Sequence, residues 1–147
     1  MDIESVFAVD EKKMDGGVWQ ILDGTTRQAV KEEDITDECA ILIASTESPA
    51  YRALLKKLLT KAQDLKGRTD LTRDEQEQVT CEAMAETIIL NWKNFSIAGK
   101  AIPYSKEQAY EFLTERKWVR LADIVFDVVQ DKQIFKFERE EAIVKNS

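Results

Sequence analysis

The chain has 147 residues, a net charge of -7, 44% apolar and 33% charged residues, which describes a folded protein the size of one ordinary domain. Its acidity argues against a surface that tracks phosphates, so we expect no nucleic-acid partner. The apolar runs are much shorter than the about 18 residues of a membrane span, and Met1–Glu4 lacks the basic start of a signal peptide. We therefore expect a cytoplasmic protein without a membrane partner.

The first third of the sequence, 1–45, is predicted to be rich in strands. Two apolar stretches, Ser5–Asp10 and Gly17–Leu22, are predicted strands, and the polar connection Asp10–Gly17 ends in two glycines, as a hairpin needs. A third run, Ala40–Ala44, is available to pair with them. These stretches predict a small antiparallel sheet of two to three strands.

The segment Asp23–Cys39 is rich in carboxylates but has no clean period. Its acidic clusters, Glu32–Asp34 and Asp37–Glu38, can be read as a divalent-ion loop. They lack the alternating oxygen ligands, the central glycine and the closing glutamate of a calcium loop. A solvated, mobile loop without metal is therefore the prediction.

Residues 46–132 are predicted to form about four helices. The first begins with Ser48 as N-cap and Pro49 in the first turn, and Gly67 ends it. Its apolar residues recur at three- and four-residue steps: Tyr51, Leu54, Leu55, Leu58, Ala62 and Leu65.

A second helix opens with the capping-box pair Thr72 and Glu75. Its inward face is predicted to carry Cys81, Met84, Ala85, Ile88, Ile89, Trp92 and Phe95. The chain then turns at Gly99 and re-enters helix near Pro103, so the stretch Trp92–Ser105 is predicted to be a helix–turn–helix junction.

The third and fourth helices are also predicted from capping residues and from apolar residues at three- and four-residue spacing. Ser105 and Gln108 have capping-box spacing and open the third helix, with Ala109, Phe112 and Leu113 inward. The fourth begins near Trp118 and carries Leu121, Ala122, Val125, Val128 and Val129. The tail, 133–147, is either a last helical turn with an extension or a segment that orders only against a partner. The predicted fold class is thus α+β, in a single domain 1–147.

The sequence offers little catalytic chemistry. It has no histidine, and its two cysteines, Cys39 and Cys81, are too few for a structural zinc site and are most simply free thiols. No nucleophile elbow or glycine-rich phosphate loop is present. We predict no enzymatic activity, no catalytic residue, no metal and no cofactor. A small enzyme using a pair of carboxylates stays as an alternative, because carboxylates are abundant.

Aromatic residues near the ends of the predicted helices are candidate partner-binding residues, since such side chains are enriched in interfaces. They are Trp92, Phe95, Tyr104, Trp118, Phe135 and Phe137. The alternative is that they form a helix-bundle core, which demands the same residue types. A basic run on the first helix likewise has two interpretations, a solvated face or a surface that meets an acidic patch on a neighbouring copy. It comprises Arg52, Lys56, Lys57, Lys61 and Lys66.

Two blocks resemble the tail assembly chaperones of long-tailed bacteriophages. The block Ile41–Leu59 resembles that family's strand, Pro turn and aromatic-bearing helix, although Ser45 stands where the family often has a basic residue. The block Trp92–Ser105 is similar to the middle of those proteins. Gly17–Trp19 resembles their early strand, and Glu140–Ser147 resembles their charged C-termini.

The resemblance implies a non-enzymatic assembly factor. Such a protein binds the long helical tape-measure protein, recruits tail-tube protein, self-associates, and acts in the cytoplasm of the infected or lysogenic bacterium. It is expected to be absent from the mature virion. The alternative within phage biology is a structural tail or head–tail joining protein, which would remain in the particle.

Overall fold

Helices and strands are interleaved along the chain, and the computed structural model describes residues 1–23 and 27–137. The helices are α1 (Ile3–Phe7), α2 (Glu11–Gly16), α3 (Pro49–Lys66), α4 (Arg73–Thr87), α5 (Lys106–Thr114) and α6 (Val119–Gln130). The strands are β1 (Val18–Leu22), β2 (Arg27–Val30), β3 (Ala40–Ile43), β4 (Ile89–Lys93), β5 (Ser96–Ile97) and β6 (Lys100–Ala101). Short 3₁₀ turns cover Glu32–Asp34, Arg116–Trp118 and Lys132–Phe135.

The main sheet has four antiparallel strands in the order β2-β1-β3-β4. The α+β class and the antiparallel sheet are confirmed, with one strand more than predicted. Register pairs Gln20 with Ile41 and Ile41 with Trp92, which places these three side chains on one face. That face joins a continuous core with helices α4, α5 and α6, whose buried residues include Met84 and Phe112.

Within the described ranges, no helix is long and apolar enough to cross a membrane.

The N-terminal hairpin prediction is wrong. Ser5–Asp10 is not a strand, because Asp2 accepts a hydrogen bond from the Glu4 N–H and starts α1. Asp10–Gly17 is not a hairpin connection, because Asp10 accepts from the Lys13 N–H and starts α2. The predicted strand Ser5–Asp10 alternates only partially, so these two aspartate caps outweigh a weak strand signal.

The described residues 27–39, between β1 and β3, are more ordered than predicted. Arg27–Val30 forms β2 against β1, so the prediction of a loop throughout Asp23–Cys39 is wrong. The amide of Asn94 also donates to the backbone oxygens of Thr36 and Glu38, at 3.1 and 2.7 Å. These bonds connect the segment to the end of β4.

The predicted bounds of α3 are confirmed. Gly67 adopts the left-handed conformation, with φ 67°, and ends the helix. Ser48 holds the N-cap position, but its hydroxyl makes no capping bond and is buried without a hydrogen-bond partner among the described residues. Leu65, predicted to point inward, is 77% exposed.

The second predicted helix ends earlier than expected. Both halves of the Thr72–Glu75 capping box are present, yet α4 stops at Thr87 and Ile89–Lys93 is a strand. The run Thr87-Ile88-Ile89 is β-branched, and β3 offers a free edge for pairing. Sheet pairing therefore overrides a spacing that also fits a helix.

The last two helices are confirmed, with their predicted inward residues buried or half-buried. The Ser105 hydroxyl accepts from the Gln108 N–H at 3.0 Å. The Gln108 amide donates to Glu111 instead of returning to Ser105. Only half of the predicted capping box is thus formed.

Because of Glu75, we expect the stability of the folded protein to fall as the pH becomes acidic. The Thr72 N–H and then Arg68 donate hydrogen bonds to its carboxylate and lower its pKa from 4.5 to about 2. Because the folded pKa is depressed, the stabilising contribution is present above about pH 4.5 and is lost as pH falls toward 2. We expect Glu75→Gln to be less stable than wild type at pH 7, with the difference shrinking across this window in urea unfolding.

The matched control is Glu82→Gln, which removes an exposed carboxylate from the same helix. Its unfolding free energy should follow the wild-type pH profile. A constant difference between wild type and Glu75→Gln from pH 7 to pH 2 would show that the capping carboxylate is not the titrating group.

Candidate partner-binding groove

An aromatic cluster surrounds Trp92 on β4. Its ring stacks on Phe95 with a centroid distance of 4.9 Å and meets Tyr104 edge-on at 5.0 Å. Phe112 of α5 lies 5.4 Å away and in turn meets Trp118 edge-on at 5.0 Å. Such offset and edge-on pairs add stability beyond the area they bury.

The stretch Trp92–Ser105 is a strand and a hairpin, so the predicted helix–turn–helix junction is wrong. Ala98 and Gly99 both have positive φ, 53° and 80°, as a tight β-turn between β5 and β6 requires. The chain returns past Trp92, whose indole N–H donates to the Ile102 carbonyl at 2.8 Å. The Tyr104 hydroxyl donates to the Ile89 carbonyl at 2.6 Å. These two bonds fasten the returning segment to β4.

The six candidate partner-binding aromatics lie mostly inside the protein. Trp92, Phe95 and Phe135 are buried, while Tyr104, Trp118 and Phe137 are half-buried. Their burial favours the core interpretation and leaves little surface for a partner, although their role in binding stays a prediction. The C-terminal block Glu140–Ser147 lies outside the described residues.

A groove of about 610 Å³ opens between α4 and α6. Both helices pack against α5, and residues at the C-terminal end of α5 also line the groove. There, Glu115 is extended and the Trp118 N–H donates to its carbonyl at 3.0 Å. Helix α6 begins directly after this tight connection, and its first turn therefore lies beside α4. We call this site the α4–α6 groove.

The α4–α6 groove combines apolar and charged side chains. The apolar lining residues are Cys81, Leu113, Val119, Ala122 and Phe126. Val119 is 51% exposed, although it is a large apolar residue. The charged lining residues are Arg73, Glu77, Glu115, Arg116 and Asp123. Apolar contact area bordered by charge is typical of a surface that receives the apolar side of a helix.

The sequence contained a signal for this groove that the prediction missed. Val119, Ala122 and Phe126 recur at the i, i+3 and i+7 positions of α6, which defines a stripe. The prediction for this helix included Ala122 but not Val119 or Phe126, and it otherwise followed the stripe through Val125 and Val129, which are buried. Ala122 belongs to the core and Phe126 packs against it, so Val119 is the exposed member of this stripe.

Cys81 suits the apolar lining better than a reactive role. Its thiol lies 3.8 Å from the Leu113 carbonyl. Burial, and then the nearby Glu77 carboxylate, raise the pKa of the Cys81 thiol above its ordinary value. A thiol that stays protonated at neutral pH is a poor nucleophile. In the described part of the chain, no group of three or more His, Cys, Asp or Glu residues is placed to hold a metal ion.

The model of a family described as YdaY prophage protein matches residues 46–146, which include both walls of the α4–α6 groove. No curated protein and no solved structure matches the chain.

Proposed function

The chain belongs to the YdaY prophage protein family, and we propose that this phage-derived protein is a tail assembly chaperone. In this role it binds the tape-measure protein and assists tail-tube assembly without catalysing a reaction. The family membership supports the phage origin. The assembly role is drawn from the sequence resemblance together with the groove.

The observation that carries the proposal is the α4–α6 groove. It is open, it has an apolar lining edged by charges, and it lies within the family-matched residues. A tape-measure protein of the kind implied by the resemblance is long and helical, so it offers repeated apolar stripes. Inserting one such stripe would cover Val119 and Phe126. Completing the burial of apolar side chains of this size contributes up to about 1.5–3 kcal/mol each.

The remaining parts of the proposal concern the course of assembly. The protein would act in the cytoplasm of the infected or lysogenic host, recruit tail-tube protein to the bound tape measure, and leave before the particle is complete. Several copies would bind along one long partner, because a helical partner presents many similar stripes.

Binding to the tape-measure protein of the same prophage tests the proposal, measured by isothermal titration calorimetry with purified proteins. We expect Val119→Glu to raise the dissociation constant at least about tenfold, because it places a charge in the apolar groove. Val6→Glu is the matched control, since Val6 is 54% exposed on α1 and does not line the groove. It should bind like wild type.

Two outcomes would contradict the proposal. One is that the wild-type protein does not bind the tape-measure protein; the other is that Val119→Glu binds it unchanged. Mass spectrometry of purified virions separates the chaperone from a structural tail or head–tail joining protein. The chaperone should be missing from the particle, whereas a structural protein should be present.

A further inference from the structure

The floor of the α4–α6 groove consists of small side chains. Cys81 of α4 and Ala122 of α6 both line the groove and are only 7% and 5% exposed, so they lie at its bottom. Val119 and Phe126 line it too, and they are 51% exposed and half-buried, respectively. Ala122 follows Val119 by three residues and precedes Phe126 by four, so it lies between these two larger side chains on one side of α6. We call the depression over Cys81 and Ala122 the recess.

The recess is suited to a large apolar side chain. A thiol, a methyl group, an isopropyl group and a phenyl ring surround it, and the end of α5 borders it, because the Cys81 thiol lies 3.8 Å from the Leu113 carbonyl. A polar group placed there would lose its hydrogen bonds to water without gaining equivalent ones. A small side chain would leave the floor without contacts. The whole groove, about 610 Å³, is much larger than one side chain, so it can receive a helix segment with one residue in the recess.

Carboxylates outnumber cations among the described residues that line the groove. They are Glu77, Glu115 and Asp123, against Arg73 and Arg116. Arg73 pairs with Glu77 at 3.7 Å. Asp123 is exposed, directly follows the recess residue of α6, and forms no ion pair within residues 1–23 and 27–137. A cation of the partner therefore has an acidic site beside the recess.

We propose that the α4–α6 groove selects a helix by two features, a large apolar residue of leucine size that enters the recess and a lysine or arginine one turn away that pairs with Asp123. This selection rests on the proposed function, because it takes a helix as the partner. The two features contribute unequally. Burying a leucine side chain outweighs an exposed ion pair, so the recess sets most of the affinity, and Asp123 favours partners with a basic residue at the matching position.

Two synthetic helical peptides test the recess, with binding to the full chain measured by fluorescence anisotropy. Both have an alanine-rich background, a leucine stripe and a lysine four residues after the middle leucine, and one has alanine at this middle position. Wild type should bind the leucine peptide at least about tenfold more tightly. Ala122→Leu fills the recess and should reduce this preference to less than about threefold. Ala101→Leu, at an exposed site of β6, should keep the preference.

Val119→Trp is the second recess variant, because Ala122 belongs to the core and its enlargement can disturb packing. Val119 is 51% exposed, so an indole at this position covers the recess from the solvent side. It should also reduce the leucine preference to less than about threefold. Circular dichroism checks that the variants fold.

Asp123→Lys tests the contribution of charge. It should raise the dissociation constant of the lysine-bearing leucine peptide about two- to fivefold, and glutamate in place of that lysine should reverse the effect. Asp127→Lys is the matched control, since it makes the same charge change at an exposed residue of α6 that does not line the groove. It should bind the lysine and glutamate peptides in the wild-type ratio.

The selection by the recess is wrong if wild type binds neither peptide, or binds both equally, or if both recess variants keep the leucine preference. Selection by charge is wrong if Asp123→Lys behaves like Asp127→Lys. These failures are distinct from a failure of the proposed function. A leucine preference without binding of the tape-measure protein contradicts the proposed function alone. Binding of the tape-measure protein that Val119→Glu weakens, without a leucine preference, contradicts the selection alone.

Discussion

Replacing Trp92 by alanine is expected to lower the free energy of unfolding by about 3–5 kcal/mol. The indole is only 5% exposed and contacts the rings of Phe95, Tyr104 and Phe112. Its removal leaves a cavity at the centre of the aromatic cluster. It also leaves the Ile102 carbonyl without the indole donor that holds the returning chain to β4. Urea unfolding followed by circular dichroism measures the change.

Trp92→Phe separates packing from hydrogen bonding. It keeps a ring in the cluster but removes the donor to the Ile102 carbonyl, so we expect a smaller loss of about 1–3 kcal/mol. Tyr104→Phe is the companion variant, because it removes the hydroxyl that donates to Ile89 and leaves the ring in place. A loss below about 1 kcal/mol for Trp92→Ala would mean that neighbouring side chains move into the space of the missing ring, which would contradict the expected cavity.

Gly17→Ala is expected to lower the free energy of unfolding by about 2–6 kcal/mol, the sum of two separate penalties. Gly17 has φ 90° and ψ 162°, a conformation that is essentially restricted to glycine. An added Cβ would also lie 2.9 Å from Cγ of Leu42 and 3.1 Å from Cδ1 of Leu90. The α2–β1 connection must therefore shift, or the two leucines must move.

The neighbouring glycine supplies the control. A Cβ on Gly16 meets no atom within 4 Å, and Gly16 is the last residue of α2. Gly16→Ala should leave the free energy of unfolding unchanged or raise it by up to about 1 kcal/mol. Thermal and urea unfolding of the two variants side by side makes the comparison. Equal effects at the two positions would contradict the assignment of strain and close approach to Gly17.

Features set by neighbouring residues could be read from the sequence. Gly67 ends α3, Thr72 with Glu75 opens α4, and Ser105 opens α5, each through a bond that is made within a few residues. Strand β4 could not be read in this way. Ile88, Ile89, Trp92 and Phe95 fit a helical stripe, and only the distant pairing of Ile41 with Trp92 decides in favour of a strand.

The candidate site also has features that the sequence predicts and features that depend on the packing of distant elements. Residue type identified important aromatics, but Trp92 and Phe95 turned out to be buried. Exposure depends on which elements pack together, and the groove exists because α4 and α6 both pack on α5 and leave space between them. Val119 and Phe126 could have been picked out as a stripe. Their exposure to solvent could not be predicted from the sequence.

The pairing of β3 with β4 has a consequence for how this protein is divided. The family match begins at residue 46, after β3 has ended at Ile43. Strand β4 lies inside the match, yet its hydrogen-bonding neighbour lies outside it. Cutting the chain at the family boundary would strip β4 of its ladder and remove Ile41 and Ile43 from the core. The part of the chain that matches the family thus depends on residues before 46 for the pairing partner of β4, and we expect a chain cut at this boundary to be less stable than the whole.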